Sequence, residues 1–438
     1  MTDAIDLLLT PRWLIPIEPA GITLSDHAVA IHAGRIVAVV PAEEARHRFA
    51  PRQHVALPDH VLLPGLVNAH THAAMTLLRG YADDMALMDW LNQRIWPAEV
   101  RHVSPQFVRD GTLLACYEML RGGVTCFNDM YFYPEAAAQA ALAAGMRAAL
   151  GIIVIEFPTD YASDADAYIS KGLATRDALR DQPLISFCMA PHAPYTVSDK
   201  SFERIVTLTE QLNLPIHLHL HETRAEIGES LAKFGVRPLE RLRRLGLLGP
   251  NLIAVHAVHL DIQEIEQLAE HGCTLGHCPT SNMKLASGIA PIAEAQRRGV
   301  RIALGSDGAA SNNRLDVLGE MRQAALLAKV ASGDATMLGA HETLRMATLN
   351  GAAALAMDDR IGSIETGKEA DLCAVDLAGL DIAPCYDPAS HLVYAAGREN
   401  VSHVWVAGQP RIEGGVMLQI SNKDLACATN IWRNKLAS

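Results

Sequence analysis

The sequence predicts an α/β protein: a (β/α)8 barrel of the TIM type, carrying a small β-sandwich domain built from both chain ends. Three observations predict it. Short strand-like runs alternate with amphipathic stretches through the middle of the chain, those runs number eight, and the two termini share a separate style of strands divided by Gly, Pro and acidic turns. Alternating strand and helix implies a parallel sheet, and eight such units suggest closure into a barrel.

The elements follow in order. DLLLTPRWLIPI, HAVAIHAGRIVAVV and QHVALPDHVLLPG read as antiparallel strands. The barrel strands are then HVLLPGLVNAHTH, VTCFNDM, RAALGIIVI, LISFCMAPHAPY, LPIHLHLHE, LIAVHAVHL, TLGHCP and RIALGSD. Helical stretches such as SPQFVRDGTLLACYEMLRGG, SFERIVTLTEQLN and IQEIEQLAEHG lie between them, several closed by a Gly in the place of a C-terminal cap. ADLCAVDL, SHLVYAAG and SHVWVAGQPRIEGG return to the terminal style and read as strands. The expected division is 1–58 with 367–438 for the end domain and 59–366 for the barrel. An open doubly wound sheet is the alternative, but no GxGxxG turn supports it.

Composition narrows the function classes. Of 438 residues, 50% are hydrophobic and 20% charged, which excludes disorder. A formal charge of −12 would repel a nucleic acid polymer or an anionic membrane. The opening MTDAIDLLLTPRW has an acidic residue where a secretory signal carries positive charge, and no apolar run approaches the ~18 residues of a membrane span. A cytoplasmic protein is expected. The 8 cysteines are scattered without a CxxC pair, so free thiols are expected rather than disulfides or a thiolate zinc site.

The 19 histidines carry the chemistry. In a (β/α)8 barrel the active site lies at the C-terminal strand ends. One predicted strand ends in His70-Thr71-His72, the fifth carries His219 with Glu222 three residues on, the sixth contains His256, and the eighth ends in Asp307. Residues i and i+2 of a strand share a face, so His70 and His72 can grip one ion. Imidazoles with a carboxylate suit Zn²⁺ or a similar divalent ion, with a position left open for water. A lone HxH is more often incidental; its place at a strand end, together with HLHLHET and LGSDGAASNN at two others, reverses those odds. His217, His219 and His221 cannot all bind without crowding the ion. His219 is assigned to the metal through its His-x-x-Glu relation to Glu222, and His217 and His221 to core or supporting positions. Glu222 is a candidate proton shuttle. His256 and His259 both fall in HAVHL, and either could be a core histidine.

With these residues assembled, the chain resembles the amidohydrolase superfamily over nearly its whole length, and within it the 5-methylthioadenosine/S-adenosylhomocysteine deaminases. PGLVNAHTH, HLHLHET, AVHAVHL, HCPTSNMKLASGIAP and LGSDGAASNN occur in that family's order, and EADLCAVDL resembles its return to the end domain. The resemblance implies a single metal held by His70, His72, His219 and Asp307, with His256 bonded to the attacking water. Asp307 would take the water's proton, and Glu222 would protonate the ring nitrogen beside C6 of an adenine nucleoside, which then loses ammonia. It also implies Glu99 in IWPAEV as acceptor for the ribose hydroxyls, and His192 in MAPHAPYTVS and Arg147 in AGMRAAL as substrate contacts. No second arginine for a homocysteine carboxylate stands out downstream of Arg147. Trp90 and Trp96 could line the pocket, though aromatics there are more often packing. Zinc is the default ion, with iron and manganese compatible, and a symmetric homo-oligomer is common among such enzymes. Guanine deamination and triazine hydrolysis are the alternatives within the superfamily. A cytidine-deaminase or zincin site has no support, since HxE with PCxxC and HExxH are absent.

Overall fold

The computed structural model describes residues 2–437. The N-terminal strands are β1 (Asp3–Leu14), β2 (Leu24–Ser25), β3 (His27–His32), β4 (Arg35–Pro41) and β5 (Phe49–Pro64). β1 pairs antiparallel with β3, as expected, but parallel with β5, where an antiparallel strand was expected. Alternate residues of β3 serve the two faces, as the two-residue repeat of a strand requires. Val29 and Ile31 join Leu7, Leu9 and Trp405 in one apolar cluster, while Ala28 and Ala30 join Ala38 and Phe49 in another.

β5 runs across position 58 and stays in this sheet to Pro64; Gly65 alone then separates it from the barrel. A Cβ at Gly65 would lie 2.2 Å from the Thr125 side chain, so this close passage admits no larger residue.

Eight parallel strands follow: β6 (Leu66–Thr71), β7 (Val124–Asp129), β8 (Arg147–Val154), β9 (Ile185–Pro191), β10 (Ile216–Leu220), β11 (Leu252–His256), β12 (Thr274–His277) and β13 (Arg301–Leu304). They pair in sequence order, and each predicted barrel strand supplies one of them, although HVLLP of the first predicted run belongs to β5 of the end sheet. No ladder joins β13 to β6, yet the gap is bridged. Asn68 Nδ2 donates to Ser306 Oγ at 2.7 Å, Ser306 N–H donates to Asn68 Oδ1 at 2.9 Å, and Asp307 N–H donates to the His70 carbonyl at 3.0 Å. Val67, Ala69, Cys126, Ala149, Val255 and Ala303 fill the barrel interior, and larger residues such as Leu218, Leu220 and Leu275 face the surrounding helices.

The helices begin and end on the expected signals. Ser104 Oγ accepts the Phe107 N–H ahead of the helix Pro105–Arg121, Asp261 and Glu264 form a capping box for Ile262–Glu270, and Asn213 in the left-handed region closes Asp199–Leu212.

The chain then returns to the first sheet through β14 (Leu372–Asp376), β15 (Val401–Val406), β16 (Gln409–Glu413) and β17 (Val416–Met417). β14 lies antiparallel to β5, from His60 opposite Asp376 to Pro64 opposite Leu372. A nine-stranded mixed sheet built from both ends results.

One C-terminal stretch differs from the reading above, and a further element follows it. SHLVYAAG is not a strand: Pro388–Tyr394 is a helix, because Asp387 Oδ1 caps it by accepting the Ala389 and Ser390 N–H groups. The final segment Asn422–Ala437 is also a helix, and it packs on the barrel. Its Trp432 ring meets Phe107 edge-on at 5.1 Å and donates Nε1–H to Asp110 at 2.8 Å. The cysteines are free, with six of them buried. No helix among the described residues is long and apolar enough to cross a membrane.

Candidate metal and active site

The strand ends that close the barrel also build the site. His221, His256, Ala257 and Asp307 all have positive φ, so β10, β11 and β13 leave the sheet through left-handed residues that turn side chains over the barrel mouth. Non-glycine residues adopt this conformation rarely, and such strain concentrates at functional sites.

Three imidazoles converge there. His72 Nδ1 donates to the Met130 carbonyl at 2.6 Å, and His219 Nδ1 donates to the His192 carbonyl at 2.8 Å. With the proton fixed on Nδ1, a neutral ring presents a bare Nε2. His70 Nδ1 is paired with His217 Nε2 at 2.7 Å, and the buried His70 Nε2 has no hydrogen-bond partner. Asp307 Oδ1 lies 3.3 Å from both His70 Nε2 and His72 Nε2. Lone pairs brought this close without a donor between them are the arrangement a cation satisfies. The ligand atoms of His70, His72 and His219 lie within 4.8 Å of one another, as do those of His70, His256 and Asp307. The donor set therefore fits a metal ion.

Asp307 is held from several sides. Oδ2 accepts the Ser281 and Ser311 hydroxyls at 2.6 and 2.7 Å, and Oδ1 accepts the Gly308 N–H at 2.7 Å. Burial opposes its ionisation, but the facing histidines outweigh it and hold the carboxyl well below the usual range. Burial pushes the His70 ring down to about 4, so the ring is neutral and free to ligate. His256 shows the opposite balance. Burial disfavours its charge, and the carboxylates of Glu222 and Asp307 more than compensate, moving it upward. Its Nδ1 is paired with Asn282 Oδ1 at 2.8 Å, and its Nε2 lies 3.9 Å from Glu222 Oε2.

A cavity of about 440 Å³ opens from this cluster, and Glu99, His192, Glu222, Trp90 and Trp96 all line it. Burial, with Asp307 nearby, pushes the Glu222 carboxyl upward; Ser287 Oγ approaches its Oε1 at 3.4 Å. Glu99, also raised by burial, accepts the Tyr131 hydroxyl at 2.7 Å. His192 is pushed down to about 3 by burial, and its Nδ1 is paired with Thr196 Oγ1 at 3.0 Å.

Arg147 is the exception. It opens β8 at the opposite end of the barrel, buried at 1% exposure, with Nε and Nη2 on Asp371 at 3.0 Å each and Nη2 also on Glu369 at 2.6 Å. Both carboxylates belong to the segment leading into β14. Arg147 joins the barrel to the end sheet and does not reach the cavity, so its expected substrate contact is corrected here. His217 and His221 are buried in supporting positions; His221 Nε2 accepts the Leu239 N–H at 3.1 Å.

Sequence reasoning missed Tyr131, Ser281, Asn282 and Ser311, which hold the acidic groups and His256. Three of the four lie within the motifs HCPTSNMKLASGIAP and LGSDGAASNN; a hydroxyl or amide soon after a strand-end ligand was the available signal.

Residues 61–411 match the amidohydrolase family. The chain belongs to that family. Among its relatives in it, a 5-methylthioadenosine/S-adenosylhomocysteine deaminase from Teredinibacter turnerae is 45% identical over 437 residues, covering 100% of this chain and 99% of its own. One of the same name from Saccharophagus degradans is 45% identical, covering 98% and 97%. A solved adenosine deaminase from Xanthomonas campestris with bound zinc is 50% identical, with a TM-score of 0.98 and 100% of both chains covered. The atrazine chlorohydrolase of Arthrobacter aurescens, at 24% identity and a TM-score of 0.90 over 97% of this amidohydrolase and 99% of its own chain, shares the fold.

Proposed function

We propose that this amidohydrolase hydrolyses the 6-amino group of adenine nucleosides, with 5′-methylthioadenosine, S-adenosylhomocysteine and adenosine as the candidate substrates. Water adds, ammonia leaves, and the inosine analogue is released. The observation that carries the reading is one cavity lined by His72, His219 and Asp307 of the donor set, with the buried His70 behind them, by the raised carboxyl of Glu222, and by Glu99 as an acceptor for a diol. The names of the full-length relatives, two deaminases of such nucleosides and an adenosine deaminase, support it.

Held by those four residues, a divalent ion, zinc by analogy with the Xanthomonas protein, would bring the pKa of a bound water down to ~7. The side chains do the rest. Asp307, kept ionised by its histidine neighbours, accepts the proton of the attacking water. Glu222, its carboxyl raised by burial, is the group placed to deliver a proton to the ring nitrogen adjoining C6. The two carboxylates thus divide base and acid duties between surroundings that push them apart. His256, tied to Asn282, turns Nε2 toward Glu222 and the attacking water. Glu99 offers its remaining lone pairs to the ribose hydroxyls, with Tyr131 fixing its orientation, and His192 closes the wall beside His219.

The test is a ranking of kcat/KM for methylthioadenosine, S-adenosylhomocysteine, adenosine, guanine and a chlorotriazine, followed by ultraviolet absorbance, with metal analysis of the purified protein. An adenine nucleoside should lead. A preference for guanine or the triazine, or a metal-free protein without turnover on any of them, would overturn the reading.

A further inference from the structure

We infer that Glu226 is a positioning residue for Glu222, acting as a carboxylate clamp on the backbone where β10 ends. The inference rests on the proton-transfer role proposed for Glu222.

The helix Arg224–Phe234 starts four residues after β10, with Thr223 as its N-cap: Thr223 Oγ1 accepts the Glu226 N–H at 3.3 Å. Glu226 is the third residue of that helix, the place from which a glutamate ordinarily reaches back to the N–H of the cap residue itself. Here it reaches further. Oε1 accepts the His221 N–H and Oε2 the Glu222 N–H, each at 3.0 Å. Both amides lie outside the helix, so the carboxylate secures the turn and not the helix end.

That turn needs securing. His221 has φ +54°, and its other groups are committed elsewhere: the carbonyl accepts the His259 N–H at 3.1 Å, and the ring accepts from Leu239. Glu222 is held more loosely. Its side chain meets Ser287 at 3.4 Å and His256 at 3.9 Å, both long contacts, which leaves its backbone N–H as the short tether. Glu226 is buried at 5% exposure, so no bulk water stands ready to replace it on the two amides. Where this clamp puts the backbone of residue 222 therefore decides where the proton-delivering carboxyl stands relative to a bound ring.

The experiment is Glu226→Gln, which keeps the shape but supplies one acceptor and one donor where two acceptors are needed. On the best adenine nucleoside, kcat should fall by about 10²-fold with KM within about twofold, because misplacing a reacting group costs rate more than binding. Bound metal should be unchanged. Hydrogen exchange at the amides of residues 221 and 222 should quicken while the rest of the helix keeps its protection. In a Glu222→Gln background the second substitution should cost nothing further. If Glu226→Gln does not fold, Glu226→Asp retains the charge, falls short of the amides, and should give the same loss in kcat. An unchanged kcat, or an equal loss in the Glu222→Gln background, would overturn the positioning role. If the unaltered protein turned over no adenine nucleoside, the proposed function would fall, and unchanged exchange at 221 and 222 would separately overturn the clamp.

Discussion

Asp307 is committed on both of its carboxylate oxygens. One oxygen carries two serine hydroxyls and the other faces His70 and His72, so an amide in its place would set an N–H₂ against either donors or bare ring nitrogens. Asp307→Asn should lower kcat by about 10²–10⁴-fold, the span of general-base contributions, with the circular dichroism spectrum preserved; near-normal turnover would remove Asp307 from proton transfer. Glu99 makes a separable prediction. Losing a charged acceptor for the diol costs about 1.5–3 kcal/mol, so Glu99→Gln should raise KM for a nucleoside at least tenfold and leave kcat nearly alone. Equal KM values for both proteins would withdraw the diol role. His70, His72, His219, Glu222 and Asp307 were legible because each closes an apolar run, and strand ends are where a barrel places chemistry. Arg147 was misread against the same geometry. RAALGIIVI opens on Arg147, seven residues before Val154 and about 23 Å from the end that carries the site at ~3.3 Å per residue, so the motif match was followed where strand position already argued against it.

At the scale of elements, the eight barrel strands could be read from their runs, whereas the seam between the first and last could not. β6 and β13 share no ladder, and a pair of side-chain hydrogen bonds between Asn68 and Ser306 takes its place. Nothing in periodicity marks Asn68 as a joint, since its partner lies 238 residues away. Asn68→Ala would strand the buried Ser306 N–H, a loss of about 1–3 kcal/mol. A lower urea midpoint with unchanged slope should accompany reduced turnover, because Asp307 follows Ser306 directly; a midpoint equal to wild type would mean the barrel closes without this pair. The last helix was missed because its buried face is thin. Leu425 and Trp432 are its buried residues, seven positions apart, and the same face is filled out by the small Ala428 and by Leu436, both only partly buried. It is held by its docking against Phe107 and Asp110, a tertiary effect that so narrow a stripe does not announce.

For the molecule as a whole, the question is what fastens the barrel to the end sheet, and Arg147 answers it. Its guanidinium meets Asp371 through two nitrogens and Glu369 through one, while Arg360 also pairs with Glu369 at 2.9 Å and Asp371 Oδ1 takes the Ala407 N–H at 2.8 Å. Removing one partner of a buried ionic cluster leaves the other charges uncompensated, a cost of about 3–5 kcal/mol. Arg147→Met, which fills similar volume without charge, should be destabilised on that scale, and whatever folded enzyme remains should lose activity equally on methylthioadenosine and on S-adenosylhomocysteine. The pH dependence follows from Glu369. Burial opposes its ionisation, Arg360 and Arg147 outweigh that, and the folded carboxyl sits below its ordinary 4.5. Its contribution is therefore complete above that unfolded value and is lost as pH falls through the lower folded one. In Arg147→Met, Glu369 keeps Arg360 and loses Arg147, so the stabilisation its carboxylate contributes above its unfolded value is smaller. The gap in thermal midpoint between the two proteins should be widest near pH 7 and shrink toward pH 4; a gap that stays constant across that window would assign the joint to packing and not to charge.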